Sequence, residues 1–441
     1  MNPSRTILVL LIALVCALPA MGQAQNGYTL QQCVETGLKN NIDILRSRNN
    51  VERSSTFKKE AFGQFLPSLR GSATWSRSDE DQLAFRANDL LRSRNSYSYN
   101  VQAGLTLFDG MRNFNSVDQS IIDYNAAEES FMRTQQTIVY SIQQYYYNVL
   151  RMEQLTRVAE SNLERSKGQL DRIREMNTVG SVPLADVYRQ QVVVGNDELG
   201  VIEARNNYQN AMVDLQALLG LSPRPDFTLA SDELPSSIEP TEIVRFRSGL
   251  GDFDALIKEA VSRRSDYRQA ELSLQSAEKG VSVAQSGHYP SLSAFAQYNW
   301  NNLELKDFTL YDRFIYGLQL SVPIFSNFQV SGAVERSEIQ RMDSEYSLEQ
   351  LRRSIATEVM KALNALETSE KNIDISVKKL QSAREDQRTA QERYNLGSGT
   401  LLDLTTASAN LTLAESDVIN ATFNYLVVQK QMDYQLGRNL N

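Results

Sequence analysis

The chain has 441 residues, a net charge of −8 and a pI near 5.1, and it carries no basic block that could neutralise phosphates, which excludes a nucleic-acid surface. The single histidine, His288, has no cysteine or histidine near it, and no cluster supplies the three or more ligands at helix or loop spacing that a metal site needs. No phosphate loop, nucleophile elbow or pair of carboxylates in a Gly-rich setting occurs, so neither an enzyme nor a cofactor is expected.

Residues 1–24 read as a secretory signal peptide. Arg5 supplies a short basic start, Ile7 to Leu18 form the apolar run, and Gly22-Gln23-Ala24 offers the small-x-small cleavage pattern. A membrane-spanning helix needs roughly 20 apolar residues, which this run lacks. Cys16 sits inside the run after Leu14-Val15, a poor match to a lipidation site. Cys33 is then the only cysteine of the mature chain, expected to be a small buried apolar residue on a short helix. The lone His288, between Gly287 and Tyr289-Pro290, reads as a helix-end residue.

The mature chain is written twice. Pro67 of Leu66-Pro67-Ser68-Leu69 and Pro290 of Tyr289-Pro290-Ser291-Leu292 lie 223 residues apart, as do Asp43 and Asp266. From Phe108 and Phe325 onward the offset is 217, and it holds through Gly180 and Gly397, Leu184 and Leu401, Asp186 and Asp403, and Gly220 and Gly437. The first copy therefore has six more residues between Leu69 and Leu107, expected in a loop between two strands. Two repeats follow, 25–221 and 252–441, each reading as two short helices, two strands, one very long helix and one shorter helix. Between them, 222–251 holds Pro223, Pro225, Pro235 and Pro240, a density expected to exclude a regular helix and to mark a linker or small surface segment.

The strands alternate. Tyr97, Tyr99, Val101, Ala103, Leu105 and Leu107 interleave with Ser98, Asn100, Gln102, Gly104 and Thr106, the period of a strand with one apolar and one polar face. Phe314, Tyr316, Leu318, Leu320 and Val322 repeat the pattern, and the preceding strands follow it through Leu69, Ala73 and Trp75 and through Leu292, Ala294, Ala296, Tyr298 and Trp300. Trp75 and Trp300 fall near the far ends of the apolar faces, where outer-membrane barrels carry interface aromatics. A sheet facing lipid cannot leave an edge open, and about eight strands is the minimum for a barrel. Four strands per chain thus require a barrel shared between two, three or four copies.

The stretches 111–176 and 328–394 lack proline and run about 65 residues each, on the order of 100 Å at the rise of an α-helix. Their apolar positions are sparse and interrupted by pairs such as Gln135-Gln136 and Gln143-Gln144, which suits a packed wall with one wet face better than a greasy two-stranded seam. The shorter helices in each copy add to nearly the same length, so they are expected to stack end to end beside the long one. Gly180 and Gly397 stand where each long helix must stop. Pro183 suits the start of the next helix, and Thr400-x-x-Asp403 reads as a capping box. Capping alone explains Gly and Asp; a tip exposed twice per chain is also an edge for docking.

The duplicated order, the Leu-Pro-Ser-Leu and Tyr-Pro-Ser-Leu strand entries, the Leu107-Phe108-Asp109-Gly110 exit and the Gly-x-x-x-Leu-x-Asp tips together resemble the TolC family of outer-membrane efflux and secretion proteins. The likeness spans nearly all of the mature chain. It implies a mixed α/β membrane protein: a homotrimer whose twelve-stranded antiparallel β-barrel, four strands per chain, continues as a long α-helical coiled-coil barrel through the periplasm. It further implies that a periplasmic adaptor protein and an inner-membrane transporter dock at the tips, here Gly180, Leu184, Asp186, Gly397, Leu401 and Asp403. Arg393-Tyr394 keep the family pattern before the second tip, whereas the first copy has Met176-Asn177. The family closes its entrance with an acidic ring; Glu385-Asp386-Gln387-Arg388 mixes signs, leaving Asp386 and Glu392 as constriction candidates. The function so implied is passive conduction of substrates from an inner-membrane pump to the exterior, in efflux or type I secretion. The other reading is a periplasmic or surface coiled-coil scaffold or adhesin without a pore, which would have no use for apolar-outward strands.

Overall fold

A computed structural model describes residues 27–86, 89–230, 239–309 and 312–438. The signal-peptide reading of 1–24 lies outside the described residues.

In chain order the first repeat comprises α1 (Leu30–Asn40), α2 (Ile42–Gly63), β1 (Ser68–Arg86), β2 (Asp89–Phe108), α3 (Arg112–Thr178) and α4 (Leu184–Leu218). A short helix α5 (Pro240–Ser248) precedes the second repeat: α6 (Phe253–Arg263), α7 (Ser265–Gln285), β3 (Ser291–Asn302), β4 (Asp312–Ser321), α8 (Gln329–Asn395) and α9 (Leu401–Gln435). Helices α3 and α8 each have 67 residues. α1 begins on a capping box in which Thr29 Oγ1 accepts from the Gln32 amide while the Gln32 side chain accepts from the Thr29 amide. Cys33 is fully buried there among Ile44, Ile142 and Leu215, and burial pushes its thiol up to about 12, so it behaves as an apolar side chain. His288 closes a single 3-10 turn, Ser286–His288, after α7.

α2 and α4 stack end to end along α3. Asn41 caps α2 and also donates from Nδ2 to the Leu218 carbonyl at 2.8 Å. Gly220, with φ of +72°, lets the chain leave α4 against the Asn40 backbone, where a Cβ would come within 2.6 Å of the carbonyl oxygen. The second repeat builds the same joint with different chemistry. Arg264, almost wholly buried, pairs with Asp266 at 2.6 Å and Glu358 at 2.8 Å and donates to Gln435 at 3.0 Å. Arg133 from α3 reaches Asp266 at 3.4 Å and lies over the Tyr434 ring. Burial raises the Asp266 carboxyl, but the Arg264 hydrogen bond and the two guanidiniums outweigh it and hold it below the usual range.

The segment 222–251 is not free of helix. Pro240 occupies the first helical position of α5, where a missing N–H costs nothing, so proline density did not exclude a helix there. Tyr28 bridges in parallel to Leu229, and Arg247 pairs with Glu370 of α8 at 2.7 Å, tying the segment to the middle of the helices.

The four strands form one antiparallel sheet in the order β1-β2-β3-β4. Its registers put Leu69, Ala103, Ala296 and Tyr316 in one row and Gly71, Val101, Tyr298 and Phe314 in the next, all on the apolar face. Most of that face is uncovered within the chain: Leu69, Val101, Phe314, Tyr316, Leu318 and Leu320 are exposed. Edges β1 and β4 are unpaired among the described residues. The six extra residues of the first copy lengthen the hairpin instead of a loop, since β1 and β2 pair out to Arg86 and Asp89 while β3 and β4 have only 12 and 10 residues. No described helix is long and apolar enough to cross a membrane.

Candidate docking site at the helical hairpin tips

The helices that hang from the sheet end in two turns, α3–α4 and α8–α9. At the first, Gly180 has φ of +77°, its N–H donates to the Asn177 carbonyl, and the Ser181 N–H reaches back to Met176 at 2.8 Å, closing the last turn. Pro183 is the N-cap of α4, with Asp186 in the positive first turn, paired to Arg189 at 3.2 Å. At the second, Gly397 has φ of +72° and the Ser398 N–H donates to Arg393 at 2.9 Å. Thr400 Oγ1 accepts from the Asp403 amide at 3.1 Å and Asp403 Oδ2 accepts from the Thr400 amide at 3.2 Å, a complete capping box. The Thr400 amide bond, its hydroxyl and Arg393 together hold the Asp403 carboxyl below its usual range. Nothing lies within 4 Å of a Cβ added at Gly180 or Gly397, so backbone sign and not space demands glycine at both.

The two leucines of the repeat are not equivalent. Leu184 is exposed, but Leu401 is only 5% exposed and sits in a core with Leu170, Ile173, Val187, Val194, Tyr394 and Leu404. The expectation that Leu401 presents an apolar knob fails because α9 turns that position onto α3. The exposed apolar side chains of the second tip are Leu396 at 83% and Leu402 at 73%; Val179 accompanies Leu184 at the first. Sequence reasoning took the Gly-x-x-x-Leu offset literally; the apolar residue before each glycine, Val179 and Leu396, was the missed signal. Tyr394 is buried beneath the second tip, and burial followed by the nearby Asp186 charge raises its phenol.

The constriction candidates differ in the same way. Glu392 is paired with Arg388 at 2.9 Å, and Arg388 also takes Glu385. Asp386, nearly two turns earlier on the helix, is exposed and joins no ion pair among the described residues. At the sheet end, Trp75 is 62% exposed on the apolar face and donates to Asn95. Trp300 is instead 2% exposed, stacked on Tyr99, covered by Phe308 and donating to the Asp307 carbonyl at 3.2 Å. The β3–β4 loop covers it, so within one chain it does not present its ring as an interface anchor. Among the described residues, no group of acidic, Cys or His side chains could hold a metal ion.

The geometry meets its relatives here. The sequence profile of the outer membrane efflux protein family matches 34–221 and 256–438. The chain is 25% identical over 448 aligned residues to outer membrane protein TolC of Escherichia coli K12, covering 98% of this chain and 86% of that protein. It is 22% identical to the toluene efflux pump outer membrane protein TtgC of Pseudomonas putida, covering 92% and 82%. The fold matches crystal structures of CusC, at a TM-score of 0.78 and 19% identity over 93% of this chain and 92% of that one, and of VceC from Vibrio cholerae, at 0.76 and 15% over 93% and 97%. With both halves of the chain matched and the helices hanging from one membrane-facing sheet, the chain belongs to the outer membrane efflux protein family, its sheet in the outer membrane and its helices in the periplasm.

Proposed function

We propose that three copies of this chain form the exit duct of a tripartite efflux or type I secretion system, which conducts substrates passively from an inner-membrane transporter to the exterior. The observation that carries this is the sheet: four strands with one apolar, mostly uncovered face and two unpaired edges. In hydrocarbon an unpaired edge costs several kcal/mol per orphan group, so the sheet must close with neighbours. Three copies give twelve strands, and the helices below continue the wall as a periplasmic tunnel whose sparse apolar stripe leaves one face wet.

The tips then face a periplasmic adaptor, with Val179 and Leu184 on one hairpin and Leu396 and Leu402 on the other as the apolar contacts. Gly180, Asp186, Gly397 and Asp403 hold the turns in shape. Asp386 is the better of the two constriction candidates, because Glu392 is already neutralised by Arg388. The substrates are small organic compounds delivered by the pump, a reading supported by the naming of the toluene efflux relative. Trp75 marks the outer interface. Deleting the gene should raise susceptibility to such compounds, and the protein should be recovered as a detergent-stable trimer from outer membranes. Recovery in the soluble periplasmic fraction without such a trimer would defeat the duct and favour a scaffold.

A further inference from the structure

The sheet has a second face, which takes no part in lipid contact or docking. The registers place Arg70 in a row with Gln102 and Gln297, and Arg313 in the adjacent row with Asn299 and Asn100, all on the polar side. The amides of this wall satisfy one another: Gln297 Nε2 donates to Asn299 Oδ1 at 2.9 Å, and the Asn100 amide donates to the same oxygen. The guanidiniums do not join them. Arg70 and Arg313 are both exposed and have neither ion pair nor hydrogen bond among the described residues.

What surrounds them is the decisive point. The chain as a whole is acidic, with 53 Asp and Glu against 45 Lys and Arg. Yet no Asp or Glu occurs over 68–76, 96–106, 291–301 or 313–321, the paired rows that would span the membrane. The carboxylate next to Arg313 in the chain, Asp312, lies on the apolar face and accepts from the Tyr298 hydroxyl at 3.0 Å. Neighbouring inner positions show that Ser, Thr, Asn and Gln suffice to keep the wall wet. Two uncompensated cations per chain therefore do something more than solvate.

We infer that Arg70 and Arg313 form a cationic collar on the inner wall of the barrel, which makes its bore favour anions over cations. This rests on the trimeric duct proposed above, in which six guanidiniums would line the bore. A narrow lumen with low-dielectric walls focuses their field onto passing ions. The preference depends on salt, because the screening length is about 10 Å at 0.1 M and about 3 Å at 1 M.

The test is reversal potential in planar bilayers under a KCl gradient, with the purified full-length protein. In about 0.1 M salt, Arg70→Gln with Arg313→Gln should raise the potassium-to-chloride permeability ratio about fourfold, and each single variant about twofold. In about 1 M salt the shift should nearly vanish, and the Arg70→Lys with Arg313→Lys protein should stay close to the parent at both. An unchanged ratio at low salt in conducting Gln variants, single or double, overturns the collar while the duct stands. A parent protein recovered without a trimer, and conducting nothing, overturns the duct itself, and the collar with it.

Discussion

Leu401 and Leu402 are adjacent, chemically identical and placed in opposite environments, so exchanging each for serine separates folding from docking. Leu401 is 5% exposed within the core beneath the tip. Truncating a buried leucine costs about 2–5 kcal/mol, and a serine hydroxyl without a partner there adds to the loss. Leu402 is 73% exposed, and a surface substitution at such a site changes stability by no more than about 0.5 kcal/mol. If Leu402 is buried against an adaptor, however, it contributes up to roughly 1.5–3 kcal/mol per copy. Three copies per assembly, joined by Leu184, Leu396 and Val179, turn individually weak contacts into firm attachment. Leu402→Ser with Leu184→Ser should therefore abolish efflux and adaptor cross-linking, with trimer yield and heat stability of the parent. Leu401→Ser should loosen the α8–α9 turn, seen as faster proteolysis near Gly397, with or without an adaptor present. Parental efflux in the Leu184/Leu402 double variant would return the tips to plain helix capping.

The remaining expectations concern the joint, the turns and the sheet. Replacing Arg264 by leucine leaves Asp266 only its longer contact to Arg133 and removes the ion pair of Glu358, and should cost up to about 3 kcal/mol, read as a lower temperature for loss of the trimer in detergent gels. Since the folded Asp266 carboxyl is held below its ordinary value of about 3.9, its contribution is fully present above that pH and lost as pH falls through the lowered value. Asp266→Asn should flatten acid sensitivity in that window; equal acid sensitivity in both proteins would rule it out as the source. Gly180→Val or Gly397→Val forces a β-branched residue into the left-handed region and should destabilise each turn by about 1–3 kcal/mol, visible as faster amide exchange confined to that tip. Leu318→Arg on the exposed apolar face should cost about 2–4 kcal/mol if that row lies at mid-membrane and lower insertion yield, whereas Gln319→Arg on the opposite face should be tolerated.

Much of this architecture was legible because its two periods differ so plainly. Strict alternation from Tyr97 to Leu107 could only be a two-faced strand, and proline-free stretches of such length could only be helices of tunnel dimensions. The repeat offset also located both turns and both joints. It did not disclose how equivalent positions diverge in burial. Leu184 and Leu401 share an offset and not an environment: Leu401 is buried in the core beneath the tip, while Leu184 is exposed. Trp300 likewise obeys the alternation yet is buried under Phe308, a contact from a loop whose course no period describes. Pro240 misled for a local reason: proline breaks a helix in its interior and starts one at its first position. The joint at Arg264 was invisible, since its partners Arg133, Glu358 and Gln435 come from three distant stretches.

The two open edges of the sheet also bear on inheritance. A chain that can complete its sheet only by borrowing an edge from each neighbour makes every duct depend on all of its members. Where parental and edge-defective alleles are expressed equally, random mixing in threes leaves only about one assembly in eight wholly parental. Substitutions that spoil pairing along β1 or β4 should therefore behave as dominant alleles, while those that merely prevent the chain from being made should be recessive.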